Sequence, residues 1–160
     1  MRILSVGSLS GMSNTCLHRN WALHKVADEV DEINTQLNPI TLWGRICYHL
    51  FFLGLPIRIP ENNKENEKIC KMVKNKDYDI VWIDKGHTIL PSTLKYIKKI
   101  SPNTIIVSYS PDNMALRHNQ TQQYLETIPL YDYFFTNKSY ILDNMRKLGA
   151  KNIFFVNNSY

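Results

Sequence analysis

The chain has 160 residues, 44% hydrophobic, 21% charged and 11% aromatic, a composition that supports one globular domain with its own core and excludes disordered, collagen-like and repeat architectures. Nineteen Lys and Arg against fourteen Asp and Glu leave a formal charge of +5, which suits an anionic ligand, nucleic acid or an acidic membrane surface without choosing among them. Three cysteines, Cys16, Cys47 and Cys70, are widely spaced and odd in number; they exclude a disulfide framework and a Cys-x-x-Cys metal or redox site, and point to a reducing, cytoplasmic compartment.

Residues 2–6 form an apolar run too short for a signal-peptide core and suited to a strand. A loop rich in Gly and Ser follows, then helical spacing over 15–27 that sets Leu17, Trp21, Leu23 or His24, and Ala27 on one face. A second strand is predicted at 29–33. The stretch 42–59 is the longest apolar one, but Arg45, His49, Pro56 and Arg58 interrupt it, so it falls short of the roughly 20 apolar residues of a membrane span. Its first part, 42–52, reads as a helix apolar almost all round; burial against a sheet is the expectation, with peripheral contact to a membrane surface as the alternative.

Spacing over 61–74 turns Ile69, Met72 and Val73 inward, and 91–100 opens on a helix-compatible proline and buries Leu94, Ile97 and Ile100. Strands are expected at 79–83, 104–109, 133–136 and 152–156. Ser139 suits a helix cap before Ile141, Leu142, Met145 and Leu148, and Gly149 suits the left-handed stop. Short runs rich in Ile, Val, Phe and Tyr alternating with helical segments predict a Rossmann-like, doubly wound α/β domain with a parallel sheet of about six strands, its strands buried on both faces. No linker divides it. The chain ends on Asn157, Asn158, Ser159 and Tyr160 without a helix to cover the last strand, which suggests the first half of a larger architecture. The sequons at Asn119, Asn137 and Asn157 are read as incidental in a chain without a secretory signal.

Ligands of open α/β sheets bind beyond the carboxyl ends of the strands, which singles out four loops. Gly7 to Asn14 allows close backbone approach and leads into a helix N-terminus suited to a phosphate, although it matches neither G-x-G-x-x-G nor the P-loop; a tight turn with a capping side chain is the competing reading. Asp84, Lys85, Gly86 and His87 offer a hydrogen-bonding set for sugar hydroxyls or phosphate oxygens, against the alternative of an exposed polar loop. After Ser108 and Tyr109, Asp112 suits a general base, and Arg117 or His118 suits developing negative charge, while 110–113 also carries a turn signature. The fourth loop, at Thr136 to Ser139, reads as a cap. The five histidines show no metal-ligand spacing, no Gly-x-Ser-x-Gly elbow is present, and the lysines over 64–76 and 95–99 are mixed with acids as on a solvated face, so no metal and no nucleic acid is expected.

In succession, 78–86 (YDIVWIDKG), 89–94 (ILPSTL), 105–112 (IIVSYSPD), 131–136 (YDYFFT) and 148–152 (LGAKN) resemble the N-terminal domain of GT-B glycosyltransferases, in the spore-maturation-protein-like branch. The resemblance implies the acceptor-side half of a two-domain, metal-independent enzyme. Such an enzyme moves a sugar from a nucleotide-sugar donor to a glycan, lipid-linked or protein acceptor. Its own C-terminal domain would hold most of the donor and is absent here, so the fragment is expected to be inactive alone. Carried onto this sequence, the resemblance places Gly7, Ser8 and Gly11 toward the donor phosphates. Asp84, Lys85, Tyr109, Arg117 and His118 fall at the acceptor, with Asp112 or His87 as the catalytic base. No cofactor beyond the nucleotide-sugar is implied. The competing classes are a stand-alone α/β ligand-binding or regulatory module and half of a nucleotide-sugar epimerase. The receiver version of the module is disfavoured by Gly7 and Ser8 where an acidic pair would stand.

Overall fold

A computed structural model describes residues 1–35 and 39–157; the expected end of the chain at Asn158, Ser159 and Tyr160 lies outside them. Six strands, β1 (Arg2–Gly7), β2 (Glu29–Asn34), β3 (Ile80–Asp84), β4 (Ile105–Ser110), β5 (Tyr133–Thr136) and β6 (Ile153–Phe155), form one sheet in the order β2-β1-β3-β4-β5-β6. Every pairing is parallel. From β1 the chain steps outward to β2 and then returns past β1 to β3, so the strand order reverses between β1 and β3, the point where α/β sheets open a crevice.

The helices are α1 (Thr15–Val26), α2 (Leu42–Phe52), α3 (Glu65–Asn75), α4 (Pro91–Ile100), α5 (Gln122–Thr127) and α6 (Leu142–Lys147). Alternation along the strands separates two faces. Leu4 and Val6, Val81 and Ile83, Ile106, Phe134 and Ile153 meet Ile69 and Val73 of α3, Leu94 and Ile97 of α4, Tyr124 of α5 and Met145 of α6 in one continuous core. The opposite face is covered by α1 at the β2-β1-β3 end. Beyond α1, Trp82, Tyr109, Phe135 and Phe154 lie ring beside ring across four strands, with ring centroids 5.7–6.4 Å apart. Ile105, Tyr133 and Phe154 at the end of this row are exposed. Burial on both faces therefore holds for β1 and for β4 beyond Ile105, is partial on one side of β3 and β5, and is lost at Phe154 and Phe155 of β6.

Several sequence expectations are corrected. α1 turns Cys16 and Asn20 inward and leaves Trp21 exposed, because Asn20 donates to Glu32 of β2 and Arg19 reaches Asp84 of β3; polar partners on the sheet outweigh the apolar stripe. α3 starts at Glu65 rather than residue 61: Lys64 adopts a left-handed backbone (φ 50°), and the Glu61 carboxylate outside the helix accepts from the Asn66 backbone and side chain at 2.9 and 2.8 Å. Ser139 does not cap a helix; it opens a 3-10 turn, Ser139–Ile141, that precedes α6. Gly149 does take a left-handed conformation (φ 105°), and the N–H groups of Ala150 and Gly149 close the helix on the carbonyls of Met145 and Arg146. Ile100 is exposed. α5 was not foreseen, since its six residues hold too little periodic pattern to register. Helix α2, expected to be buried, is buried along one side only, at Gly44, Cys47 and Phe51.

β1 approaches β3 closely at Gly7, where a Cβ would stand 2.9 Å from the Cβ of Asp84. A methyl group there pushes β1 from β3 at the strand reversal. Gly7→Ala is expected to cost about 1–3 kcal/mol, read as a lower urea midpoint at an unchanged denaturant slope.

Candidate functional site

The carboxyl edge around the β1/β3 reversal assembles from four loops. After β1, Gly11 turns left-handed (φ 90°) and Asn14 ties the loop to itself: its amide donates to the carbonyls of Ser8 and Ser10 at 2.5 and 3.0 Å, while its Oδ1 accepts from Cys16 N–H as the cap of α1. Leu9 N–H donates to Asn34 Oδ1 at the end of β2 at 2.9 Å. The loop is therefore a closed turn with a capping side chain, and Ser8 also lines a small cavity with Val6, Cys16, Asp84 and His87.

Asp84 ends β3 almost fully buried, and its two oxygens accept from Arg19 Nε and Nη2 at 2.6 and 2.8 Å. The guanidinium lies over the Tyr109 ring, 4.3 Å from its centroid. Burial works against the Arg19 charge, but the Asp84 bonds overcome it and its pKa is raised, so the cation is retained. Burial beside this carboxylate pushes the Cys16 thiol up to about 12 and holds it as a neutral packing group. Sequence reasoning missed Arg19. A surface arginine and a sheet-facing one have the same spacing along a helix, and only the strand order brings Asp84 beneath it.

Lys85 and Gly86 follow in consecutive left-handed conformations (φ 65° and 67°), a rare arrangement for a residue carrying a Cβ. It turns the Lys85 side chain across to the loop after β4, where Nζ meets Asp112 Oδ2 at 2.7 Å. Both groups stay about one-third exposed, so this pair contributes little stability and marks the open part of the site. The loop is fixed from below: Asn66 of α3 donates to the Thr88 carbonyl and accepts from Leu90 N–H and the Thr93 hydroxyl, and Thr88 donates to the buried Glu65.

His87 points inward instead. It is buried between Phe51 and Tyr124, with ring centroids 5.7 and 5.9 Å away, and its Nδ1 has no partner. Burial, aided by the Lys85 charge, lowers its pKa from 6.5 to about 4, so the imidazole is neutral at physiological pH. Asp112 sits in a genuine turn, where Met114 N–H donates to its carbonyl at 2.9 Å. Arg117 and His118 lie on a 3-10 turn, Arg117–Asn119, against the end of α2; Arg117 donates to Gln120 and packs over Gly54.

The structure thus brings Gly7, Ser8, Asp84, Lys85, Tyr109 and Asp112 to one edge, with His87 beneath it. Gly11 lies in open space. No polar contact joins Arg117 or His118 to the Lys85–Asp112 pair among the described residues. No group of three or more metal-ligating side chains forms among the described residues. A hollow of about 970 Å³ lies at the opposite end of the sheet beside Asp28, Asp77 and Asp79. The carboxyl edge is the better candidate because strand reversal, helix start and left-handed backbone coincide there.

Two of the solved structures that match are of an alpha-glucosyltransferase. One is in complex with UDP and a 13-mer DNA containing a HMU base, the other with UDP-glucose and DNA containing an abasic site. They are 21% and 20% identical to this chain, each with a TM-score of 0.56. They cover 97% of it and 41% and 42% of their own chains. The chain therefore spans about two-fifths of the length of those proteins, and the likeness establishes the Rossmann-like fold. No family model matches the chain, and no curated protein does.

Two outcomes follow from the buried groups. Asp84→Asn leaves the Arg19 charge without its counterion. The loss is expected at about 3 kcal/mol, the low end for a broken buried pair, since Arg19 keeps 20% of its side chain in solvent; thermal or urea unfolding measures it. Unfolded His87 takes up a proton below pH 6.5 and the folded one only below about 4, so its contribution is complete above 6.5. Stability falls as pH drops through that window, by up to about 1.4 kcal/mol per unit. His87→Gln is expected to flatten this stretch of the stability–pH profile.

Proposed function

We propose that this chain is the acceptor-side half of a GT-B glycosyltransferase that takes a sugar from a nucleotide-sugar donor. The observation that carries the reading is the coincidence, at the β1/β3 reversal, of Gly7 and Ser8 with a partly exposed Asp112 held by Lys85. It stands on a Rossmann-like domain whose solved counterparts were crystallised with UDP and UDP-glucose. Placement within the spore-maturation-protein-like branch rests on the succession of motifs after Tyr78 alone.

Of the two candidate bases, the geometry favours Asp112. His87 is neutral and enclosed, whereas the Asp112 carboxylate is partly exposed and Lys85 holds it through Oδ2. In this reading Asp112 takes the proton of the acceptor hydroxyl as its oxygen attacks the anomeric carbon and the nucleoside diphosphate departs. The phosphates would face the loop after β1 at Ser8, Gly7 serving there chiefly to let β1 pack against Asp84. Asp84 acts indirectly, by holding Arg19 and the β3 end in place, while Arg117 and His118 would meet only the outer part of an acceptor. The donor is held by a C-terminal domain, so the chain alone turns nothing over. No metal is invoked: the positive groups of the two halves would meet the diphosphate.

A glycan, lipid-linked or protein acceptor is preferred to nucleic acid, although the matched alpha-glucosyltransferases were solved with DNA. What supports this is that three cations near the edge are held in ion pairs, Arg19 with Asp84, Lys85 with Asp112, and Arg58 with Glu126 at 2.7 Å, which weakens the case for a basic stripe along a phosphate backbone there. Three free thiols, two of them buried, support a cytoplasmic location.

The test is transfer of labelled sugar from UDP-glucose and other nucleotide-sugars by the whole protein. Asp112→Asn is expected to lower it by about 10²- to 10⁴-fold with unfolding little changed, since the Lys85–Asp112 pair is partly exposed and contributes little stability. Undiminished transfer clears Asp112. Failure of the protein to bind any nucleotide-sugar moves the reading to a non-catalytic module, and a DNA mobility shift with glucosylated product replaces the acceptor class.

A further inference from the structure

Helix α2 is apolar on its outer side as well as its inner one. Gly44, Cys47 and Phe51 form its inner side, and the outer side, half a turn away, carries Leu42, Ile46, His49 and Leu53 at i, i+4, i+7 and i+11. These leucines and Ile46 are 76%, 65% and 44% exposed in the order Leu42, Leu53 and Ile46, and Trp43 on the flank is 66% exposed. Phe52 and Leu55 extend the exposed apolar surface toward the loop that follows. Surface helices ordinarily put charge at this pole, and contiguous apolar patches on a soluble domain mark contact sites.

Charge selects the occupant. Residues 39–60 contain Arg45, His49 and Arg58 and not one Asp or Glu. Arg45 is exposed and makes no ion pair among the described residues, so a free cation stands beside the apolar stripe. A second copy docked on the same stripe about a two-fold axis would bring its own Arg45 and His49 to the same seam, with no carboxylate in the segment to meet them. An anionic lipid surface satisfies both halves of the pattern: the acyl boundary takes the leucines and Trp43, and the headgroups take Arg45. No described helix is long and apolar enough to cross a membrane, so the contact is one that lies in the interface.

We infer that the outer face of α2 docks the protein on an anionic membrane surface, with Leu42, Trp43, Ile46 and Leu53 inserted and Arg45 at the headgroups. α2 packs through Phe51 on His87, and Gly54 just past its end lies against Arg117, so docking would hold the carboxyl edge of the sheet close to the lipid surface. This inference does not depend on the glycosyltransferase reading, because its test measures binding without any transfer.

The experiment is flotation of the purified chain with vesicles of equal parts phosphatidylcholine and phosphatidylglycerol, and with vesicles of phosphatidylcholine alone. Expected is recovery with the anionic vesicles, weakened by salt, together with a blue shift of tryptophan emission that Trp43→Phe removes. The Leu42→Ser/Leu53→Ser pair is expected to reduce partition on the order of tenfold or more with an unchanged melting temperature. Should that pair unfold the chain, Arg45→Glu, at an exposed position, is expected to lower binding to the anionic vesicles by roughly tenfold. Absence of binding to the anionic vesicles overturns the inference, as does binding that the folded variants leave intact. Sedimentation showing a dimer that either variant dissolves overturns it in favour of a second copy.

Discussion

The constraint on which the carboxyl edge depends is the close passage of β1 over β3, where Gly7 lies against Asp84 and Arg19 comes down from α1 to meet the carboxylate. A charge buried at the end of a strand is tolerable only with its partner in place, so one bidentate pair couples the first helix to the strand reversal. Tyr109 of β4 completes the joint by lying under the guanidinium. Three strands and a helix are thereby locked at the point where the sheet opens, and the loops above it are built on rigid supports.

The loop after β3 shows how that rigidity is converted into an exposed chemical pair. Its lower side is held by a buried network centred on Asn66, and its upper side turns through two left-handed residues to deliver Lys85 to Asp112. Burial divides the roles of neighbours: His87, two residues from Lys85, is neutral in the core, and Asp112, on the next loop, is ionic and reachable. Two side chains that looked equivalent as bases are separated by which way the backbone turns after Gly86.

Apolar surface is distributed unevenly over the outside. The core side of the sheet is closed by four helices, while the aromatic row from Trp82 to Phe154 runs out from beneath α1 into solvent at β5 and β6. Helix α2 adds a second exposed apolar surface next to the carboxyl edge. A domain with both features has more hydrophobic surface than its own chain covers, which is the physical ground for seeking contacts beyond it.

How much was legible follows from what each signal encodes. The six parallel strands, the helix stop at Gly149 and the gathering of Gly7, Asp84, Lys85 and Asp112 at one edge were readable, because β-branched runs, glycine conformation and right-handed crossovers are local or nearly local properties. Helix α5 and the 3-10 turn at Ser139 were not, since so few residues hold too little pattern, and neither was the inward turn of Asn20 and Arg19, which depends on Glu32 and Asp84, distant in sequence. An apolar helix such as α2 has the same composition whether neighbours surround it or not, and an imidazole has the same sequence context whether buried or exposed. Composition and periodicity determined the layers and their order; burial, ion pairing and which apolar face stayed in water were decided only when the tertiary structure chose the neighbours.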